Sequence, residues 1–180
     1  IEKLYSQIKH SLSRGVSAEL EIIPNTYQAE ITAEKLRKAT AIRSEFSTDF
    51  SASTTDRKHN IAISLRQFNG LIVPPMCEIS FNGIVGPRTE ERGYRMSKII
   101  VDGEFVEGLG GGVCQTSTTL YNALLLADVK ITEQHRHTLA VSYVPPSFDA
   151  MVNISSADLK FLNDSGNFLF IKAWTDQNRA

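Results

Sequence analysis

Apolar residues recur at two spacings in the first part of the chain, and each spacing predicts a different element. Apolar side chains at every fourth position predict a helix over residues 2–13. Residues 16–23 alternate between apolar and polar side chains, which is typical of a strand buried on one face. Thr32 is a suitable N-cap for a helix over residues 33–38. A helix, a strand and a second helix are therefore expected before the main domain begins.

The middle of the chain mixes the two patterns. Residues 42–50 alternate and predict a strand, and Asp56 is a suitable N-cap for a helix over residues 56–68. Residues 98–101 and 104–106 flank an Asp-Gly dipeptide, which predicts a hairpin with a two-residue turn. Short apolar runs predict two further strands, at residues 71–73 and at residues 78–83, where a turn follows the strand.

In the last part of the chain, glycines 110–112 precede a helical apolar run. Residues 137–144 alternate and predict a long strand, and residues 149–152 predict a short one. Residues 158–161 and 168–174 flank a polar turn and predict a closing pair of strands. We therefore expect an α+β fold with a mixed, mostly antiparallel sheet, against which the helix after the glycines packs.

Length and charge narrow the classes of protein to consider. A chain of 180 residues is long enough for one domain with a real core, and we place the start of that domain near residue 42. The net charge of −1 gives no electrostatic footprint for nucleic acid, so no nucleic-acid partner is expected. No apolar run reaches the roughly 18 residues that a membrane helix needs. The chain opens on Ile1 rather than methionine, so we expect it to be a piece of a longer protein.

Cys114 is the strongest candidate for chemistry. Three glycines precede it and a helical run follows, so its thiol is expected at a helix N-terminus. The unpaired N–H groups and the partial positive charge of such a terminus favour the thiolate, which is the reactive form of cysteine. Gly111 and Gly112 allow a substrate to approach closely, and Gln115 and nearby N–H groups are candidates for stabilising an oxyanion. We therefore expect Cys114 to be a nucleophile.

A disulfide is the main alternative role for Cys114. The chain contains two cysteines, Cys77 and Cys114, and sequence alone does not reveal whether they pair. It contains neither a Cys-x-x-Cys nor a His-x-x-x-His motif, so we expect no metal site and no cofactor.

A thiol nucleophile works with a base and with a third group that orients the base. His135 and His137 are the histidines downstream of Cys114, and their spacing places both on one face of a strand. The sequence therefore leaves open which of them is the base. Asp149 is the expected orienting carboxylate, with Glu133 as a second candidate, and capping of a turn is the alternative role for Asp149.

A charged segment over residues 86–94 is the candidate substrate loop. Arg88 and Arg92 are suited to bind a substrate carboxylate through paired hydrogen bonds, although pairing with the neighbouring glutamates is the alternative. Ser117 has a helix-capping alternative. The complete predicted substrate-binding set is Arg88, Arg92, Tyr94, Gly111, Gly112, Gln115, Ser117 and Tyr143.

The run GGGVCQTSTTLYNALL, which begins at Gly110, resembles the signature of the VanW domain family. Separated blocks extend the resemblance over about residues 42–174. These blocks include residues 46–48, 60–61, 69–70, 80–82, 85–94, 135–137, 143–145, 149–150 and 158–163. Residues 1–41 resemble the end of the peptidoglycan-binding segment that often precedes this domain.

This family is linked to L,D-transpeptidase activity in peptidoglycan cross-linking, with a cysteine nucleophile. The resemblance implies that residues 42–180 form a catalytic domain. It implies that Cys114 attacks a donor stem peptide and forms a thioester, which the side-chain amine of an acceptor stem resolves. It also implies a place in the cell envelope outside the cytoplasm, and leaves open whether the parent protein is anchored in the membrane and what its oligomeric state is.

Two other functions are compatible with the same residues. One is a cysteine peptidase or carboxypeptidase that trims stem peptides, and the other is a non-catalytic module that binds the cell wall. The sequence also departs from the family pattern, since Gln134 stands where members usually carry arginine and Ser147 stands where glycine is usual. The segment Pro75-Met76-Cys77-Glu78 replaces a usual Pro-Gly-Glu step. The missing arginine affects any substrate contact that it makes in other members.

Overall fold

The computed structural model describes most of the chain, namely residues 2–15, 17, 19, 32–37, 41–101 and 103–180. The chain divides into two compact units, Ile1–Glu34 and Lys35–Ala180. Among the described residues, no helix is both long and apolar enough to cross a membrane.

The N-terminal part of the chain contains two helices. Helix α1 spans Glu2–Arg14, which confirms the first predicted helix. Helix α2 spans Ala33–Arg37 and agrees with the second predicted helix within the described residues. The strand predicted over residues 16–23 lies outside the described residues, apart from positions 17 and 19.

Short strands and helices alternate through the rest of the chain. The helices are α3 at Thr55–Arg66, α4 at Phe81–Val85, a 3₁₀ turn at Glu90–Arg92, and α5 at Val113–Leu126. The strands are β1 at Leu71–Val73, β2 at Glu78–Ser80, β3 at Met96–Val101, β4 at Glu104–Leu109, β5 at Lys130–Glu133, β6 at Lys160–Leu162 and β7 at Leu169–Ile171.

The strand pairs in the described part of the chain are all antiparallel and form three small sheets. β3 and β4 form the predicted hairpin, whose turn residue 102 is outside the described residues. β6 lies between β2 and β5, and β7 pairs with β1. Helix α5 packs against α3 and β5. These pairings confirm the α+β class with antiparallel strands and the Cys114 helix packed against a sheet.

The apolar core forms where α5 meets the three-stranded sheet. Phe68, Phe81 and Phe161 are fully buried, and the rings of Phe68 and Phe81 stack with centroids 5.1 Å apart. Full burial of a phenylalanine side chain stabilises a fold by about 1.5–3 kcal/mol. Leu120 and Leu124 of α5 pack into this core. The middle of α5 is therefore anchored in the core, while its first turn, which carries the Cys114 thiol, lies at the periphery of the core.

Several predicted strands are wrong. Residues 42–50 form no strand, and Asp49 makes only an isolated bridge to Arg179. Residues 137–144 form no strand because the first N–H of this segment donates to a carboxylate instead of to a neighbouring strand. The expected closing pair at residues 158–174 does not form because β6 and β7 have different partner strands.

Two local predictions near the helix starts are also wrong. Thr54 rather than Asp56 caps α3, because the Thr54 hydroxyl accepts the N–H of Arg57. The sequence predicted a strand followed by a turn over residues 78–83, whereas the strand ends at Ser80 and the short helix α4 begins at Phe81. The Ser80 hydroxyl accepts the N–H of Gly83 and so supplies its N-cap.

Candidate active site

Cys114 is the second residue of α5. The N–H of Val113 donates to the carbonyl of Gly110 at 3.1 Å, and the N–H of Gln115 donates to the carbonyl of Gly112 at 2.9 Å. Within the described chain the N–H of Cys114, between them, has no acceptor. An N–H group at a helix N-terminus carries the positive end of the helix dipole. The thiol therefore lies beside an unoccupied donor that is suited to stabilise negative charge on a bound group.

The glycines before Cys114 are required by close packing. A Cβ atom at Gly111 would lie 2.5 Å from the carbonyl oxygen of Lys98, which no side chain tolerates. Gly112 has a φ of 110°, which L side chains rarely adopt. The side-chain amide of Asn60 donates to the carbonyls of Gly111 and Arg95. The glycine run thus fixes the start of α5 against α3 and β3, in addition to any part it has in substrate approach.

His137 and Asp149 form a close, nearly buried pair. Nδ1 of His137 lies 2.7 Å from Oδ2 of Asp149, and the backbone N–H of His137 donates to the same oxygen at 2.7 Å. The exposed fractions of the two side chains are 7% and 10%. Burial alone would raise the pKa of Asp149, but the two hydrogen bonds from His137 and its charge hold that pKa below its ordinary value.

The His137 ring lies close enough to the thiol of Cys114 for the two groups to affect each other's ionisation. Burial alone would lower the pKa of His137, but the interaction with Cys114 and then the hydrogen bond and charge of Asp149 raise it above its ordinary value. The thiol donates to the carbonyl of Val152 at 3.4 Å in this structure. Because Nδ1 is bonded to Asp149, Nε2 is the ring nitrogen left for Cys114. A rotation of the thiol hydrogen from Val152 to His137 would complete a Cys-His-Asp arrangement.

His135 lies in a separate ion-pair cluster. Its Nε2 is 2.9 Å from Oε1 of Glu133, and the other oxygen of Glu133 is 2.8 Å from Nζ of Lys160. The hydrogen bonds from Lys160 and then from His135 lower the pKa of Glu133 to about 2. The side chain of His135 is 40% exposed. Of the two histidines that the sequence left as candidates, His137 is the one placed beside Cys114 and Asp149.

The hydroxyl-rich first turns of α5 attach the segment that carries Asp149. The Ser117 hydroxyl donates to the carbonyl of Ala150 at 2.6 Å, and the Thr118 hydroxyl accepts the N–H of Ala150 at 3.0 Å. The side-chain amide of Asn122 donates to the carbonyl of Phe148. These side chains hold Asp149 at a fixed distance from Cys114. Ser117, predicted to bind substrate, is fully buried and makes a structural contact.

Two glutamines near the site also have their side chains bonded to protein. Gln115 is 1% exposed, and its amide donates to the Thr48 hydroxyl and to the carbonyl of Asp49. Because its amide N–H groups donate to the protein, the Gln115 side chain is not free to stabilise an oxyanion, which is the role that the sequence suggested. The side-chain amide of Gln134 donates to the carbonyl of Asp149 at 2.7 Å.

The predicted substrate loop contributes one arginine that lies near the thiol. Nη2 of Arg88 donates to the side-chain oxygen of Asn82, whereas its Nη1 is buried and has no partner. Burial lowers the pKa of Arg88, and the charges of Tyr94 and Cys114 oppose this shift. The phenol oxygen of Tyr94 is also buried without a partner. Nη2 of Arg92 donates to the carbonyl of Val85, so that arginine supports the loop.

Arg57 and Tyr143 complete the polar surroundings of Cys114. Nη1 of Arg57 donates to Oε1 of Gln115 at 2.7 Å, and its guanidinium carbon lies 5.9 Å from the centre of the Tyr143 ring. Burial raises the pKa of Tyr143, as does the charge of Cys114. The sequence predicted Tyr143 as a site residue but did not predict Arg57. The signal was weak, because Arg57 lies in a predicted helix, 57 positions before Cys114, in a run of charged and polar residues.

The two cysteines are both free in the structure, so the disulfide alternative does not describe it. The thiol of Cys77 lies near the carbonyl of Glu78, at 3.8 Å, and that of Cys114 faces Val152. Among the residues that the structure describes, no group of three or more metal-binding side chains lies together.

Comparison with known proteins identifies the family. The family model described as "VanW like protein" matches residues 56–180. The chain is 41% identical to the uncharacterized protein YoaR of Bacillus subtilis (strain 168) over 129 residues, which are 72% of this chain and 43% of YoaR. It is 26% identical over 111 residues to the vancomycin B-type resistance protein VanW of Enterococcus faecalis (strain ATCC 700802 / V583), a match that covers 59% of this chain and 40% of that protein.

The chain belongs to the VanW-like protein family. It spans less than half the length of these two relatives. No solved structure matches it.

Proposed function

We propose that this chain carries a cysteine-dependent L,D-transpeptidase domain that cross-links peptidoglycan stem peptides outside the cytoplasm. The observation that carries the proposal is the placement of His137, whose Nδ1 lies 2.7 Å from Oδ2 of Asp149 and whose ring is near enough to Cys114 for the thiol to raise its pKa. A nucleophile, a base and an orienting carboxylate in contact are the parts that acyl transfer through a thioester needs. The VanW family membership supports the choice of cell-wall peptides as substrate.

In the first half-reaction, Nε2 of His137 accepts the proton of the Cys114 thiol. The sulfur then attacks the carbonyl carbon between the third residue of the donor stem and its terminal D-alanine. The unoccupied N–H of Cys114 is placed to donate to the oxygen of the tetrahedral intermediate. His137 returns the proton to the amide nitrogen, D-alanine leaves, and the donor stem remains as a thioester on Cys114.

In the second half-reaction, the side-chain amine of an acceptor stem attacks the thioester carbonyl. His137 takes a proton from the amine, and the sulfur leaves and is protonated again. Transfer requires that the amine reach the thioester before water does. Hydrolysis of the same thioester would make the protein a peptidase, so the choice between the two functions depends on which nucleophile is admitted.

The experiment is product analysis by mass spectrometry with purified tetrapeptide muropeptides. The wild-type protein is expected to form cross-linked dimers and to release D-alanine. Cys114→Ala should form neither product, while Cys77→Ala should retain both and serves as the matched thiol control. Shortened monomers without dimers would identify a carboxypeptidase. Binding to isolated cell walls without any product would instead identify a binding module.

A further inference from the structure

Arg57 is attached to the residues on both sides of Cys114. Its Nη1 donates to Oε1 of Gln115 at 2.7 Å and to the hydroxyl of Ser53 at 2.8 Å. A Cβ atom at Gly112 would lie 3.0 Å from its Cγ, so its side chain also runs along the glycine turn. These contacts fix the guanidinium group of α3 at the start of α5.

One edge of this guanidinium group is unused. Nη1 makes both side-chain hydrogen bonds of Arg57, and among the described residues Nε and Nη2 have no acceptor. Those two atoms are also not among the buried atoms that lack a partner, which are Nη1 of Arg88 and the Tyr94 phenol oxygen. Nε and Nη2 point the same way, and this is the edge with which arginine holds a carboxylate through two parallel hydrogen bonds.

Tyr143 lies beside the guanidinium group of Arg57. The guanidinium carbon of Arg57 lies over its ring, 5.9 Å from the ring centre. The aromatic face packs against the cation and shields it from solvent, which strengthens its attraction for an anion. Arg57 bonds to Gln115, the residue that follows Cys114, so its guanidinium group lies near the thiol. The effect of the Cys114 charge on the pKa of Tyr143 agrees with a position of the phenol near the same thiol.

We propose that the free edge of Arg57, backed by Tyr143, is an anion subsite that binds the carboxylate next to the carbonyl attacked by Cys114. This inference deepens the proposed function and rests on it. In a donor tetrapeptide, only the amide nitrogen and one carbon atom separate the attacked carbonyl from the terminal carboxylate. A carboxylate subsite beside the nucleophile would therefore select stems that end at the fourth residue, and would exclude stems whose end is amidated or extended.

The other arginines near the loop are less suited to this contact. Nη2 of Arg92 is bonded to the carbonyl of Val85, and that of Arg88 to Asn82. The unpaired Nη1 of Arg88 is buried and not open to a ligand. Arg57 thus takes the carboxylate contact that the sequence suggested for Arg88 and Arg92.

The first test uses alkylation and needs no turnover. Iodoacetate and iodoacetamide differ by one carboxylate, and site-resolved mass spectrometry follows both thiols of the chain. The ratio of the iodoacetate to the iodoacetamide rate should be about tenfold higher at Cys114 than at Cys77, as one partly screened charge contact predicts. Arg57→Gln should lower the Cys114 ratio to that of Cys77, whereas Lys58→Gln should leave it unchanged.

Equal ratios at the two thiols of the wild-type protein would overturn the subsite, whatever the variants do. Arg57→Lys keeps the positive charge but not the paired N–H groups, so we expect a Cys114 ratio between those of wild type and Arg57→Gln. This intermediate ratio would show that the loss in Arg57→Gln does not come from misfolding.

The second test compares donor stems with a free or an amidated terminus. Wild type should prefer the free carboxylate by about tenfold in kcat/KM, and Arg57→Gln should lose this preference. If the iodoacetate preference at Cys114 is observed but neither donor stem is turned over, the result would contradict the transpeptidase proposal but not the anion subsite.

Discussion

Oδ2 of Asp149 accepts two hydrogen bonds from His137, one from ring Nδ1 and one from the backbone N–H, each 2.7 Å long. One carboxylate oxygen thus fixes both the ring and the chain from which it projects. Because Nδ1 donates to Asp149, Nε2 carries the lone pair and faces the proton-transfer position. This relationship gives His137 the tautomer that a base for Cys114 needs.

Exchanging each histidine separately tests which of them is the base. His137→Gln should lower kcat for D-alanine release by about 10²–10⁴-fold, the range for loss of general base catalysis. His135→Gln is the matched control, because it removes a ring that is bonded to Glu133 and not to Cys114. Its kcat should stay within about threefold of wild type. Equal losses in the two variants would assign the effect to the segment rather than to His137.

Asp149→Asn tests the orienting role of the carboxylate. An amide at this position can present its NH₂ group to His137 and so favour the wrong ring tautomer. We expect kcat to fall by about 10³–10⁴-fold with little change in KM, as when the orienting acid of a catalytic triad is amidated. Steady-state kinetics of D-alanine release measure both constants. A rise in KM with unchanged kcat would show that Asp149 serves substrate binding instead.

The raised pKa of His137 predicts how pH affects activity and stability. Activity should rise with pH through a pKa above about 6.5, since neutral His137 is the base. The stabilisation from protonated His137 is fully present below about pH 6.5 and is lost as pH rises through the folded pKa. NMR titration of the ring should show this pKa falling in Asp149→Asn. An unchanged ring pKa would remove Asp149 as a cause.

Ser117→Ala tests the attachment of the Asp149 segment to α5. The variant leaves the buried carbonyl of Ala150 with only the long contact from Thr118, at 3.5 Å. An unsatisfied buried acceptor costs about 1–3 kcal/mol in the free energy of unfolding. Ser155→Ala, at an exposed serine, should change it by less than about 0.5 kcal/mol. Urea unfolding measures both values, and equal effects would argue against the attachment.

The sequence predicted the parts of the site that depend on local order. A glycine run, a cysteine and an apolar helical run predict a thiol at a helix start, and α5 begins at Val113. The hairpin of β3 and β4 was equally predictable because its two strands are adjacent in the sequence and are joined by a short turn. The choice between His135 and His137 was not readable, since it depends on which carboxylate each ring meets after folding.

Long-range pairing explains what the sequence could not predict. Alternation over residues 137–144 resembled a strand, but the segment is held by side-chain bonds rather than by a ladder. Helix capping was the alternative role predicted for the Ser117 hydroxyl, yet it bonds Ala150, more than 30 residues away. Arg57 reaches Gln115, the residue after Cys114, only because α3 packs on α5. Such contacts are set by tertiary packing, which local patterns do not encode.

The most direct test of the account is to trap the acyl-enzyme. The protein is mixed with a tetrapeptide donor stem without acceptor, quenched in acid, and analysed by intact mass and peptide mapping. We predict an adduct equal to the donor stem without its terminal D-alanine, located on Cys114, cleaved by hydroxylamine, and absent in Cys114→Ala. Product formation with no adduct on Cys114, or the same adduct on Cys77, would contradict the assignment of Cys114 as the nucleophile.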